Sequence, residues 1–245
     1  WVLVDTQASL AAGAKNTSIS LARGNGNFGG TNLASDAGSS INIDTGVAQF
    51  NIKKNNLNII NSAVVNGKTI VAAGSSQGLV VTGPTPGQTT CGTCTTVYSS
   101  ANDPSSTAVI EENGPAKTVI KATGYHKDSG GNSYMAFTVR LTFYKGKGNV
   151  KVTSSLRNAD HGPSNSFNSA YKGFESYEIQ ISTNLSGTKN YEFGTHTTPS
   201  SGTLGSSDNV YLYQGKSDSL KSEAWCGFGC VDFSTDLGYS IVKNG

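Results

Sequence analysis

The sequence predicts an all-β fold, an antiparallel β-sandwich or a barrel-like closure of one, in a single domain over residues 1–245. Three observations predict it. Apolar residues recur at every second position in about fourteen short runs, the period of a half-buried strand. Gly, Asn and Asp punctuate those runs as antiparallel turns require. No segment combines a 3.6-residue apolar period with a capped start and a Gly stop, the marks of an amphipathic helix.

Taken in order, residues 1–22 read as two strands, WVLVD and TSISLA, and residues 23–30 (RGNGNFGG) as a Gly/Asn loop. Gly24-x-Gly26 has no helix after it, which removes a dinucleotide reading. Ile41 and Ile43, Val47 to Ile52 and Leu57 to Val65 form a meander. Asn66-Gly67 then supplies a hairpin turn, because both residues tolerate positive φ, and Thr69 to Ala72 returns. Residues 74–104 are rich in Gly, Ser, Thr and Pro and predict a long surface loop, or a pair of short strands held by a staple.

Thr107 to Glu112 and Lys117 to Tyr125 lead into the hairpin that organises the chain, Asn132 to Asn158. Its first arm sends Met135, Phe137, Val139, Leu141 and Phe143 one way, and Tyr134, Thr138, Arg140, Thr142 and Tyr144 the other. Lys145-Gly146-Lys147-Gly148 makes the turn, and Val150, Val152 and Leu156 continue the apolar face. Two strands bury too little apolar surface to stand alone, so others must cover that face. Residues 158–171 read as a polar loop. In Glu175 to Ile181 the residues Tyr177, Ile179 and Ile181 share a side. Tyr191 to His196, Asn209 to Gln214, Trp225 to Phe233 and Leu237 to Val242 complete the strands.

Lys and Arg number 18 against 16 Asp and Glu, a net charge of +2, which gives no electrostatic case for nucleic acid or an anionic membrane. No apolar run approaches the ~20 residues of a membrane span. The surface must be built of Gly, Ser, Thr and Asn, a composition that predicts a secreted protein, extracellular or at the cell surface. The chain opens inside a strand with no basic-then-apolar leader, read as a removed signal or an excised piece of a longer protein.

The cysteines come as two close pairs, Cys91 with Cys94 and Cys226 with Cys230. An even count in a Ser/Thr/Gly-rich chain predicts disulfides, with three pairings open; a four-thiolate zinc site is the competing reading. Asn16-Thr-Ser18 and Asn184-Leu-Ser186 fit the N-glycosylation pattern.

Four segments stand in an order that resembles a known family. They are Trp1 to Leu10 (WVLVDTQASL), Ile43 to Phe50 (IDTGVAQF), Val109 to Pro115 (VIEENGP) and Val139 to Val152 (VRLTFYKGKGNVKV). Together they resemble the N-terminal β domain, of RIFT-barrel type, in exo-acting rhamnogalacturonan lyase-like proteins. The resemblance covers roughly residues 1–160 and implies a β module from a polysaccharide-degrading architecture. In that family a large helical toroid supplies much of the catalytic cleft, and no helical counterpart is seen in this sequence.

A lyase needs a base and a cation, so His126, His161, His196, Tyr125, Tyr171, Arg140 and Arg157 are the residues to test. The three histidines read as surface or loop residues, and the two arginines as solvent-facing. Glu111 and Glu112, adjacent on a strand, point to opposite faces and cannot act as a glycosidase pair. Asp36, Asp44, Asp208, Asp232 and Asp236 lack a diagnostic calcium spacing. Neither a catalytic residue, a metal site nor a cofactor is expected. Tyr134, Tyr144, Tyr171, Tyr191, Tyr211, Tyr213 and Trp225 offer stacking surfaces for sugars, with Tyr211, Tyr213 and Trp225 the candidate carbohydrate contacts.

The leading expectation is therefore a secreted, non-catalytic β module, a structural or adhesive subunit of an extracellular surface assembly or filament. Its copies would join by β-strand addition, with Trp1 to Leu10 or Leu237 to Gly245 exchanged. The alternative is an accessory carbohydrate-contacting domain of an exo-acting, rhamnogalacturonan-type polysaccharide lyase.

Overall fold

A computed structural model describes residues 10–15, 29–88, 94–157, 172–193, 200–205, 209–213 and 240–244. Residues 1–245, read from the sequence as one domain, divide into two compact units, Trp1–Asn184 and Leu185–Gly245. Among the described residues every regular element is a strand except one 3-10 turn, Ser100–Asn102. The antiparallel sandwich predicted from the alternating runs is the architecture of the first unit.

Its first sheet is a meander of five strands in chain order: β1 (Ala34–Asp36), β2 (Ser40–Asp44), β3 (Ala48–Lys53), β4 (Ser62–Val65) and β5 (Lys68–Val71). Alternation places Ile41 opposite Ile52 and Ile43 opposite Phe50, all buried. The β4–β5 turn is the predicted Asn66-Gly67, with φ of 49° and 78°, the doubly positive geometry that matches strand twist.

The second sheet has seven strands: β6 (Gly78–Gly83), β7 (Thr96–Ser99), β8 (Thr107–Asn113), β9 (Lys117–Lys127), β10 (Ser133–Tyr144), β11 (Val150–Arg157) and β12 (Ser176–Gln180). The order is β11-β10-β9-β7-β6-β12, with β8 also paired to β9. β10 and β11 are the two arms of the central hairpin, in register from Ala136 opposite Arg157 to Phe143 opposite Val150. The stretch at 74–104 contains β6 and β7, which pair antiparallel.

Leu79, Ile120, Phe137, Val139, Leu141 and Phe143 of this sheet share one core with Ile41, Ile43, Phe50 and Ile52 of the first. Phe50 and Phe143 meet across the gap with ring centroids 5.0 Å apart. Each fully buried side chain of this size contributes roughly 1.5–3 kcal/mol of transfer energy, and that burial holds the sheets face to face. At one end the turns interlock: Gly146 N donates to Thr45 O at 2.7 Å and Thr45 Oγ1 to Lys147 O at 2.8 Å. At the other flank Asn113 brackets Ala34, donating from Nδ2 to its carbonyl at 2.8 Å and accepting from its N–H at 3.1 Å.

The second sheet is curled. Tyr177 of β12 lies 5.8 Å, centroid to centroid, from His126 of β9, although β7 and β6 separate the two strands. Tyr177 and Leu156 of β11 pack on the same cluster, Val81, Tyr98, Tyr134 and Met135, so the two outer strands lean toward each other. This is the barrel-like closure foreseen from the sequence.

Two details differ from the sequence reading. Leu57 to Val65 is not one strand: it becomes β4 only at Ser62, and Ile59 takes a φ of 64°. Leu57 and Ile59 are nonetheless buried, because Ser100 Oγ donates to Leu57 O and Ser106 Oγ accepts from Leu57 N, replacing ladder bonds with loop contacts. Tyr134 was expected on the face opposite Met135, yet both are buried. A register shift between Ser133 and Ala136 breaks the alternation there.

The second unit contains two antiparallel pairs, β13 (Lys189–Phe193) with β14 (Ser200–Leu204) and β15 (Asn209–Tyr213) with β16 (Ser240–Asn244). Trp1 to Leu10, apart from Leu10, and Trp225 to Phe233 lie outside the described residues, as do residues 16–28 and 158–171.

Candidate functional site

The register shift at the start of β10 has a consequence at the surface. It turns the Tyr134 ring inward against Tyr98 of β7, stacked at 4.7 Å and 20°. Both rings are pinned by their hydroxyls, Tyr98 donating to Pro84 O at 2.7 Å and Tyr134 to Gly173 O at 2.5 Å. Gly83 makes room: a Cβ there would lie 2.9 Å from Tyr134 Cε1 and 3.2 Å from Tyr98 Cε2. Burial holds the Tyr134 phenol up at about 12, helped by Tyr98, and raises Tyr98 too, helped by the Asp128 carboxylate. Both phenols stay neutral over the physiological range.

Above this pair lies a groove of about 310 Å³, lined by Gln88, Asn132, Ser133 and Lys172 beside the two tyrosines. The Lys172 ammonium sits 5.0 Å from the Tyr134 ring centre and donates to Tyr134 O at 3.1 Å. Asn132 is fixed by the tight turn before β10, where Asp128 accepts from its N–H at 2.8 Å and its Nδ2 at 2.9 Å. Those donors, Asn132 first, hold the Asp128 carboxyl below its ordinary range. The groove thus presents side-chain amides, a hydroxyl and a cation above a rigid pair of buried rings, Tyr98 1 % and Tyr134 4 % exposed. That is the chemistry of a small polar ligand held by hydrogen bonds.

His126 corrects an expectation. Read as a surface or loop histidine, it is fully buried on the inner side of β9, next to Phe137 and Tyr177. The strand alternation Ile120, Ala122, Gly124, His126 carries it inward. Nδ1 lies 2.7 Å from Met135 O; a carbonyl only accepts, so Nδ1 carries the proton and Nε2 is bare. Nε2 has no hydrogen-bond partner, and neither has the Tyr177 hydroxyl. Burial pushes His126 down to about 4, against the opposing pull of the Met135 bond and the Asp103 charge. Burial likewise raises the Tyr177 phenol, and Ser154 opposes that rise without reaching hydrogen-bond geometry. A base sealed in this way meets no substrate.

Arg140 is on the outer face, as expected, and its guanidinium grips Glu111 with two bonds, 2.6 and 2.8 Å. Glu111 is the extra residue of a bulge in β8 between Ile110 and Glu112. Glu112 pairs instead with Lys117 at 2.7 Å. Arg157 is exposed on β11 and Tyr125 is partly exposed on β9. His126 points into the core and Arg140 out of it, so the fold keeps that base and that cation apart. His161, His196 and Tyr171 lie outside the described residues.

Asp36 is engaged by Lys54 at 2.6 Å, and Asp44 caps its own turn by accepting from Gly46 N at 2.7 Å. Among the described residues no three His, Cys, Asp or Glu side chains gather as a metal site. Tyr211 and Tyr213 both stand on β15, two positions apart. Tyr144 and Tyr191 are half-buried. Cys94 is buried ahead of β7, while Cys91, Cys226, Cys230, Trp225 and Asn16 lie outside the described residues. Asn184 is exposed, its backbone N–H donating to Ile70 O at 2.6 Å. The Tyr98–Tyr134 groove was missed from the sequence because its lining is scattered from residue 86 to residue 172.

Residues 33–170, more than half of the chain, match the family model described as the PcRGLX-like protein central beta sandwich domain. The chain belongs to the PcRGLX-like central β-sandwich family. The rhamnogalacturonan lyase-like family expected from the four motifs is thereby found, and its description names the matched module as the central sandwich. No curated protein and no solved structure matches the chain. The match spans both sheets up to the end of β11, and within it lie Tyr98, Asn132 and Tyr134 of the groove.

Proposed function

We propose that this chain is an extracellular, non-catalytic β-sandwich module that contacts carbohydrate as an accessory domain of an exo-acting, rhamnogalacturonan-type polysaccharide lyase. The observation that carries the reading is the groove over the buried Tyr98–Tyr134 stack, where the polar groups of Gln88, Asn132 and Ser133 and the Lys172 ammonium converge. Family membership favours it. The commitment of His126 to the core and of Arg140 to Glu111 favours a binding role over a bond-breaking one. An oxidising compartment is supported by the one described cysteine, Cys94, which is not a free thiol.

A glycan array tests the reading with the wild type, a Gln88→Ala/Lys172→Gln variant and a Tyr211→Ala/Tyr213→Ala variant. Loss of binding in the first variant supports the groove. Loss only in the second moves the contact to β15. No glycan bound by the wild type removes the carbohydrate role.

The second reading, a structural or adhesive subunit polymerised by strand addition, is favoured by the outer strands. Among the described residues β11 pairs only with β10, and β12 only with β6. Of the two strands expected to exchange, Ser240–Asn244 is already paired within the chain to Asn209–Tyr213. That leaves Trp1 to Leu10 as the donor. Electron microscopy across a wide concentration range decides it: filaments support the reading, and dispersed monomers throughout remove it.

A further inference from the structure

The register of β8 to β11 sets the outward side chains in columns. Thr107, Thr123, Thr138 and Ser155 form one, with the first two hydroxyls 3.2 Å apart. Val109, Lys121, Arg140 and Thr153 form the next. Ion pairs consume part of the charge on this face: Arg140 with Glu111, Lys117 with Glu112, and Lys127 with the buried Asp103 at 3.1 Å.

Three cations remain in surplus. Lys121 is 4.0 Å from Glu111, which Arg140 already holds with both oxygens. Lys151 and Arg157 on β11 are exposed and meet no carboxylate among the described residues. The overall charge of +2 conceals this asymmetry. Lys151 and Arg157 are six positions apart, about 20 Å along the strand, and Lys121 is two strands away, about 10 Å across. These separations exceed the Debye length of about 8 Å at physiological salt, so one small anion cannot satisfy all three.

We propose that the outer face of β8 to β11 docks an extended acidic polysaccharide, its carboxylates meeting Lys121, Lys151 and Arg157 and its hydroxyls the Thr/Ser column. The choice of a glycan over another polyanion rests on the carbohydrate role proposed above and on the hydroxyl column. Tyr125, 38 % exposed, is the aromatic beside that column, too few for a run of stacked bases.

Fluorescence anisotropy tests this with end-labelled polygalacturonate oligomers, a neutral galactan of equal length and a single-stranded oligonucleotide. The full chain is compared with Lys151→Gln/Arg157→Gln and with Lys68→Gln, an exposed lysine on the other sheet. The acidic oligomer should bind best and weaken about tenfold between 50 and 300 mM NaCl, as screening shortens the reach of the charges. The double variant should bind about tenfold more weakly, with an unchanged melting temperature, and Lys68→Gln should match the wild type. Equal binding of the neutral galactan overturns this proposal while leaving the carbohydrate role intact. Binding by no glycan overturns both. Tighter binding of the oligonucleotide, or an unchanged double variant, also overturns it.

Discussion

His126 Nδ1 lies 2.7 Å from the carbonyl oxygen of Met135, and that one bond fixes which imidazole nitrogen carries the proton in a site with no water contact. The other nitrogen is bare, so acid must force a second proton into an apolar pocket. An unfolded imidazole takes it up near 6.5 and the folded one near 4. The unfolded chain therefore binds more protons between those values. Stability is fully present above pH 6.5 and falls by about 3 kcal/mol as pH drops to 4. Urea melts at pH 7, 5.5 and 4.5 should show this slope, and His126→Gln should flatten the part due to the imidazole.

Gly124 pairs with Phe137 in the β9–β10 register, and the ring occupies the space a side chain would need. A Cβ at Gly124 would lie 2.7 Å from Asp103 Oδ2, 2.8 Å from Ser106 Cβ and 2.9 Å from Phe137 Cζ. Gly124→Ala should cost about 1–3 kcal/mol through overpacking, read as a lower urea midpoint at unchanged slope.

Asp103 is fully buried and serves three partners: Lys127 at 3.1 Å, Tyr125 N–H at 2.8 Å and Ser105 N–H at 3.0 Å. Asp103→Ala leaves two donors and an ammonium without their acceptor. The expected loss is about 3–5 kcal/mol, and Asp103→Asn should recover part of it because an amide oxygen still accepts.

Thr45 joins the two sheets at their turns, donating to Lys147 O at 2.8 Å and accepting from Ala48 N at 3.1 Å. Thr45→Val keeps the shape and removes both bonds. The expected cost is about 1–3 kcal/mol, with faster hydrogen exchange at Gly146, whose N–H donates to Thr45 O.

Where one face of a strand is buried and the other wet, the fold was legible in the sequence. The Phe137 to Phe143 arm shows it, because burial and period two coincide there. Leu57 to Val65 misled because apolar residues were read as a strand where loop hydroxyls, not a ladder, satisfy the backbone. His126 misled because composition at a strand end was weighed above the alternation that carries it inward. The groove was illegible for a different reason. Tyr98, Asn132 and Lys172 have no spacing in common, and a register shift, which leaves no signature in the sequence, turns Tyr134 toward them.

The leaning together of β11 and β12 over the Val81–Tyr98 cluster gives the sheet a mechanical property that a flat one lacks. Peeling either margin uncovers the cluster on which the other also packs, so the two borders are coupled through it. Amides of Leu156 and Tyr177, far apart in strand order, should therefore exchange with solvent together, as one cooperative seam.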